Sequence, residues 1–313
     1  MRLETISLWP DRSDVTLTSF VTPPDPGWPF PAFPRPAVVV CPGGAYLDLS
    51  AAEGSPIALA LAARGYQVFV LHYSVATRAP HPEQVRYPAQ LVDLARAVAL
   101  LRERADEWNL DPAQVAVMGF SAGGHLCASY AVHWHEPWLA EQAGAPSEAL
   151  RPTAAVLGYP ITDYILQDAF RDAPLPMMLG SNRALFGTKH PSREELERLS
   201  PALHVNPHTP PCFLVHAADD SMVPVGNSLR MATALSDAGI PFELHVFQQG
   251  DHGFADGHPM DRPWEAHRNR ACAAWLDLVH TWLLKQFSPE TREAPLPPAE
   301  EFFRAKAAQQ PGL

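Results

Sequence analysis

Short uninterrupted apolar runs punctuate the middle of the chain: Ala37-Val38-Val39-Val40-Cys41, Val68-Phe69-Val70-Leu71, Val115-Ala116-Val117-Met118, Ala154-Ala155-Val156-Leu157 and Cys212-Phe213-Leu214-Val215. A strand that is apolar in both phases of its two-residue period buries both faces, which is the signature of a parallel sheet covered on each side. The stretches between them read as helices near Glu53–Arg64, Pro88–Trp108 and Val225–Asp237, with a last helix near Trp264–Lys285 and a further strand at Phe242–Phe247. Strands alternating with helices predict an α/β fold with a mostly parallel central sheet and helices on both faces. Ahead of this rhythm, Thr5–Trp9 and Val15–Val21 read as an antiparallel lead-in, followed by a proline-rich loop from Pro23 to Pro36 that can form neither ladder nor helix.

The pattern divides the chain into a lead-in over 1–36, a main domain over 37–286 and a Pro-, Ala- and Glu-rich tail over 287–313. An insertion over 163–211 interrupts the alternation. It carries Met177, Met178, Leu179, Leu185, Phe186 and a short charged helix near Arg193–Leu199, and is placed where it can cap the C-terminal edge of the sheet.

Composition narrows the functional classes. With 47 % hydrophobic and 18 % charged residues the chain is that of a soluble globular protein, and a net charge of −11 provides no basic footprint for nucleic acid or an anionic membrane. The first residues lack the apolar core of a signal peptide, and no apolar run approaches the ~20 residues of a membrane span, so a cytoplasmic location is expected. Cys41, Cys127, Cys212 and Cys272 are widely spaced and read as buried free thiols. His133-Trp134-His135 places two rings on diverging helix directions with no carboxylates to complete a site, so no metal and no cofactor are expected.

The chemistry-bearing pattern follows the run Val115–Met118: Gly119-Phe120-Ser121-Ala122-Gly123 is a Gly-x-Ser-x-Gly between a strand and a helix. A sharp strand-to-helix turn that presents one side chain needs glycine on both flanks, because a Cβ there would collide across the turn. Ser121 then stands at the strand's C-terminal end, and the helix opening with Ala122 turns unpaired N–H groups toward any charge formed there. A serine hydroxyl needs a base oriented by an acid, and in hydrolases of this architecture the order along the chain is serine, acid, histidine. The loop after Cys212–His216 contains Asp219 and Asp220, either of which can serve as the acid, and the loop after Phe242–Phe247 contains His252. Asp251 reads as a turn residue, and His72, His204, His216 and His245 read as core or surface histidines. An oxyanion needs two amides; Ala122 can supply one, and the glycine-rich loop Pro42-Gly43-Gly44-Ala45-Tyr46 the other.

Taken together, Cys41-Pro42-Gly43-Gly44-Ala45-Tyr46, Ser50-Ala51-Ala52-Glu53-Gly54-Ser55-Pro56, Gly65-Tyr66, Met118–Leu126, Asp219–Ser228 and Gly250–Phe254 resemble the acetylxylan esterase-like carboxylesterase branch of the α/β-hydrolase esterases, within the esterase/lipase superfamily, over roughly residues 36–286. The resemblance implies Ser121, Asp220 and His252 as catalytic triad, with Asp220 preferred over Asp219 from its spacing to Pro224. It also implies Gly44, Ala45 and Ala122 as oxyanion donors and a small-molecule ester, such as an acetylated carbohydrate, as substrate. The chain departs from the His-Gly-Gly-Gly of related hydrolases, having Pro42-Gly43-Gly44-Ala45, which leaves two registers for the hole: Gly43 with Gly44, or Gly44 with Ala45. Glu53 reads as a first-turn carboxylate complementing a helix dipole. The same triad also serves amide hydrolysis, as in arylformamidases or peptidases, and a hydrolase-fold protein that only binds ligand would require a broken triad. The oligomeric state is not legible.

Overall fold

In the computed structural model, which describes residues 1–24, 33–170, 175–257 and 270–287, the apolar runs form one eight-stranded sheet. The strands are β1 (Arg2–Trp9), β2 (Arg12–Val21), β3 (Arg35–Cys41), β4 (Gln67–His72), β5 (Leu110–Phe120), β6 (Ala154–Gly158), β7 (Cys212–Ala217) and β8 (Phe242–Phe247), in spatial order β1-β2-β4-β3-β5-β6-β7-β8. β1 and β2 form the antiparallel lead-in, β2 pairs antiparallel with β4, and every pairing from β4 to β8 is parallel.

The two phases of each central strand feed two separate cores. Val39, Phe69, Leu71, Val117, Leu157 and Leu214 pack on one face beneath α2 (Ala89–Glu103), α4 (Ala122–His133) and α9 (Gly226–Asp237). Val38, Val40, Val68, Val70, Met118, Val156 and Phe213 pack on the other, against Ile57, Ala58 and Leu61 of α1 (Ser55–Ala62) and Trp275, Val279 and Trp282 of the last described helix, Trp275–Phe287. Complete burial of such side chains contributes about 1.5–3 kcal/mol each, and the fully buried polar residues of β4 and β7, Gln67 and His216, are hydrogen-bonded. The lead-in is fastened through the buried Asp93, which accepts from Trp9 Nε1 at 2.7 Å and from the Ser74 hydroxyl at 2.6 Å.

Several elements depart from the sequence reading. The helix expected over Pro88–Trp108 breaks at Arg104 (φ −110°, ψ 23°) into α2 and α3 (Ala105–Trp108). The helix expected from Glu53 is a 3-10 turn, Ala51–Glu53, followed by α1, so Glu53 does not open the helix. The sequence pattern starts the last helix at Trp264. Residues 258–269 lie outside the described residues, and a turn and a 3-10 turn at Cys272–Ala274 precede the α-helix at Trp275. The sequence pattern shows no sign of α5 (Pro137–Ala143), nor of α6 (Tyr164–Ala169) and α7 (Pro176–Phe186) within the insertion, whereas α8 (Arg193–Arg198) is the expected charged helix. Most of the Pro23–Pro36 loop and the tail from 288 onward lie outside the described residues.

Candidate active site

β5 ends at Phe120 and α4 begins at Ala122, so Ser121 alone makes the turn, at φ 52° and ψ −118°. A non-glycine residue in this region is strained, and the surroundings hold it there. The Ser121 N–H donates to Gly158 O on β6 at 2.9 Å, and the Ser121 carbonyl accepts from His125 N at 2.9 Å. A Cβ on Gly119 would lie 2.0 Å from the Gly123 carbonyl oxygen, and one on Gly123 would lie 2.0 Å from that of Cys41. Both glycines are therefore required by close backbone approach across the turn.

The loops after β7 and β8 meet at this serine. Ser121 Oγ is 2.8 Å from His252 Nε2, and His252 Nδ1 is 2.8 Å from Asp220 Oδ2. The other carboxylate oxygen, Asp220 Oδ1, accepts from the amides of Met222 (2.9 Å) and Val223 (2.8 Å), which fixes the orientation of the group. Burial favours the neutral carboxyl, but hydrogen bonds from His216 and His252 outweigh it and hold Asp220 well below the usual carboxylate range. Asp219 lies elsewhere: its Oδ1 accepts from Gly250 N and Asp251 N, both at 2.9 Å. Asp251 reciprocates, accepting from Ser221 N (2.9 Å) and the Ser221 hydroxyl (2.7 Å). These two aspartates staple the acid loop to the histidine loop.

His216 is closer to the chemistry than a core histidine is expected to be. It is fully buried, with Nδ1 2.8 Å from Ser228 Oγ and Nε2 3.0 Å from Val223 O and 3.2 Å from Asp220 Oδ2. An Nε2–H shared between the carbonyl and the carboxylate, with Ser228 donating to Nδ1, satisfies every partner. Its position in β7, four residues before the acid and on the buried face, is the available sequence signal. Of the other histidines the sequence singles out, His245 bonds Glu243, His204 bonds Glu197 O, and His72 lies 3.4 Å from Thr16 Oγ1. His133 packs beside His204 and His135 stacks on His208, and among the described residues no group of three metal-ligating side chains converges. All four cysteines are buried and free.

Opposite the histidine, the β3–α1 loop passes close to Ser121. Gly44 (φ 129°), Ala45 (φ 56°) and Tyr46 (φ 59°) run in left-handed conformations, and a Cβ on Gly44 would meet the Asp48 carbonyl oxygen at 2.0 Å. The Gly43 amide donates to Glu53 Oε2 at 2.7 Å. The amides of Gly44, Ala45 and Ala122 have no protein acceptor among the described residues. Glu53, rather than complementing a helix dipole, is buried against this loop, and its second oxygen accepts from the Tyr159 hydroxyl at 2.8 Å. Burial and the neighbouring Glu53 raise the Tyr159 hydroxyl well above its ordinary value, so it remains a donor.

Ser121, His252, Gly44 and Ala45 open onto a cavity of about 600 Å³. Leu47, Met177 and Met222 form apolar parts of its wall, and Asp48 and Ser50 polar parts. Met177 belongs to α7, so the 163–211 insertion reaches the cavity; residues 171–174 of it lie outside the described residues.

The strand order and the loops that gather Ser121, Asp220 and His252 at the C-terminal edge define an α/β-hydrolase fold. The model of the BD-FAE family matches residues 31–235, and that of the dienelactone hydrolase family matches residues 193–288. The chain belongs to the BD-FAE family. It is 35 % identical to endo-1,4-beta-xylanase B of Butyrivibrio fibrisolvens over 70 % of this chain and 32 % of that protein. It is 28 % identical to the acetylxylan esterase of Xylanibacter ruminicola over 71 % of this chain and 41 % of that protein, so it spans less than half the length of these curated relatives. Among solved structures it is similar to an acetyl ester-xyloside bifunctional hydrolase from Caldicellulosiruptor lactoaceticus (31 % identity, TM-score 0.68, covering 88 % of this chain and 96 % of that one). A protein from Lactobacillus plantarum (33 % identity, TM-score 0.67, covering 91 % and 98 %) is another such structure.

Proposed function

We propose that the protein is a serine esterase that hydrolyses short-chain carboxylic esters, acetyl esters of carbohydrates among them, through an acyl-enzyme on Ser121. The observation that carries this reading is the continuous relay from Ser121 Oγ through His252 to Asp220, each link at 2.8 Å, beside amides that have no protein acceptor. His252 Nε2 takes the Ser121 proton as Oγ bonds to the ester carbonyl carbon, and Asp220 orients and stabilises the imidazolium. The oxyanion is held by the amides of Ala122, Gly44 and Ala45, a register favoured because the Gly43 amide is already committed to Glu53. The imidazolium returns its proton to the leaving alkoxide as the carbon–oxygen bond breaks. Water, deprotonated by His252, then attacks the acyl carbonyl, and as the bond from that carbon to Ser121 Oγ breaks, His252 gives the proton to Oγ, releasing the acid and restoring Ser121. Acetylated carbohydrate is favoured by the similarity to an acetylxylan esterase and an acetyl ester-xyloside hydrolase, and by a cavity with room for a sugar-sized alcohol.

The test is a substrate panel run on wild type and Ser121→Ala: p-nitrophenyl acetate, butyrate and octanoate, acetylated xylo-oligosaccharides, and an N-formyl anilide. The expected result is highest kcat/KM on acetyl esters and loss of all turnover in Ser121→Ala. Activity of Ser121→Ala at the wild-type rate overturns the mechanism, and a preference for the anilide replaces the esterase reading with an amidase one.

A further inference from the structure

Glu53 is a carboxylate with 4 % exposure and, among the described residues, no cationic partner. Burying a charge without a counter-charge is expensive unless hydrogen bonds to it compensate, and an apolar residue of similar volume would be the cheaper way to fill the space. Glu53 instead receives two donors from two different parts of the site. Oε2 takes the Gly43 N–H of the β3–α1 loop at 2.7 Å, and Oε1 takes the Tyr159 O–H from the end of β6 at 2.8 Å. The tyrosine oxygen in turn accepts the Ala255 N–H at 3.1 Å, three residues beyond His252, and the tyrosine ring stands edge-on to the His252 imidazole with centroids 5.1 Å apart. Tyr159 is itself held at φ 35°, a left-handed conformation that a bulky residue occupies only under constraint.

The geometry also bears on the serine. A Cβ on Gly43 would meet Glu53 Oε2 at 2.7 Å and Ser121 Cβ at 2.8 Å, so the Glu53 carboxylate and the Ser121 side chain flank the same peptide unit. Without the carboxylate, the Gly43 N–H would have no acceptor, and the loop could rotate to present Gly43 and Gly44 rather than Gly44 and Ala45.

We propose that Glu53 is a positioning residue for ester hydrolysis: by capturing the Gly43 amide it selects the Gly44 and Ala45 register of the oxyanion loop, and through Tyr159 it ties that loop to the histidine loop. This rests on the serine-esterase reading. Glu53 acts on the transition state through the amides it orients, so its removal lowers kcat while leaving KM nearly unchanged.

The experiment compares wild type, Glu53→Ala, Glu53→Gln, Tyr159→Phe and Ser121→Ala on p-nitrophenyl acetate, with melting temperatures and with inhibition by an alkyl trifluoromethyl ketone, which adds to the serine as a hemiketal oxyanion. Loss of one oxyanion donor typically lowers kcat by about 10²–10³-fold, so Glu53→Ala is expected to lose about 10²-fold in kcat with KM within about threefold. Affinity for the trifluoromethyl ketone falls by a comparable factor. Glu53→Gln, whose amide oxygen can still accept one of the two donors, falls between wild type and alanine. Tyr159→Phe, which keeps the Gly43 contact but severs the link to Ala255, loses about tenfold. A folded Glu53→Ala with kcat within twofold of wild type overturns the proposal. So does a lowered melting temperature with kcat per folded molecule unchanged. Should Glu53→Ala not fold, wild-type kcat in both Glu53→Gln and Tyr159→Phe overturns it equally. Inactive Ser121→Ala beside fully active Glu53 variants overturns this proposal alone, whereas active Ser121→Ala overturns the esterase reading beneath it.

Discussion

Replacing Asp220 by asparagine tests the relay through a change of a single atom. Asp220 Oδ1 faces two backbone N–H groups, of Met222 and Val223, whereas Oδ2 faces the imidazoles of His252 and His216. Backbone amides cannot become acceptors, so the asparagine oxygen must occupy the Oδ1 position and its NH2 the Oδ2 position. His216 Nε2 can keep donating to Val223 O at 3.0 Å. His252 has only one accommodation: Nδ1 must accept from the asparagine, which moves the imidazole proton to Nε2 and points a donor at Ser121 Oγ. A base in the wrong tautomer cannot take the serine proton, and in the serine protease where this substitution is best understood the cost in kcat is about 10⁴-fold. The same cost here is about 5.5 kcal/mol of activation free energy. We therefore expect Asp220→Asn to lower kcat/KM on p-nitrophenyl acetate at pH 7 by about 10³–10⁴-fold with secondary structure intact. Asp219→Asn is the control: its amide oxygen can still accept from Gly250 and Asp251, so activity should stay within about tenfold of wild type. Asp220→Asn within tenfold of wild type, or Asp219→Asn as the more damaged of the two, refutes the assignment of the acid.

Gly123→Ala brings a Cβ to 2.0 Å from Cys41 O and 2.5 Å from Pro42 O, both backbone atoms that cannot turn away, so it should cost about 3 kcal/mol or more, or roughly 5 °C in melting temperature for a chain of this length; a variant melting with wild type would contradict the elbow packing. Asp220 is held below its ordinary value of 3.8 in the folded state, so the stability it contributes is fully present above that value and is lost as pH falls through it toward the folded-state value. The melting temperature of wild type should fall more steeply below about pH 4 than that of Asp220→Asn, in which this titration is absent, and parallel slopes would show that Asp220 is not held low.

The strands and the order of the catalytic candidates are legible because each rests on local signals. Runs such as Val38-Val39-Val40 leave no polar phase to expose, and Gly119 and Gly123 mark a turn that little else would need. What escapes the sequence depends on contacts between distant segments. Glu53 sits where a helix start is expected, and only the approach of Gly43 and of Tyr159, which is 106 positions away, shows that its carboxylate holds the β3–α1 loop. His216 falls in an apolar strand and reads as a core histidine, its place four residues before Asp220 gaining meaning only once the β7–α9 turn folds Asp220 back onto its ring. The break between α2 and α3 comes at Arg104, whose sequence carries neither glycine nor proline, and the short α5 and α6 are too brief to show a period. The register proposed for the β3–α1 loop, Gly43 with Gly44 or Gly44 with Ala45, is open in sequence because every one of these residues carries an N–H, and the sequence does not show that Gly43's amide meets the Glu53 carboxylate.

Ser121 as the carrier of the acyl group is tested most directly by trapping the intermediate. Wild-type protein mixed with p-nitrophenyl acetate and quenched in acid before the first turnover is complete should gain the mass of one acetyl group, and peptide mapping should place it on Ser121, with no adduct in Ser121→Ala. An acetyl group on another residue, or one that forms equally in Ser121→Ala, would contradict the account.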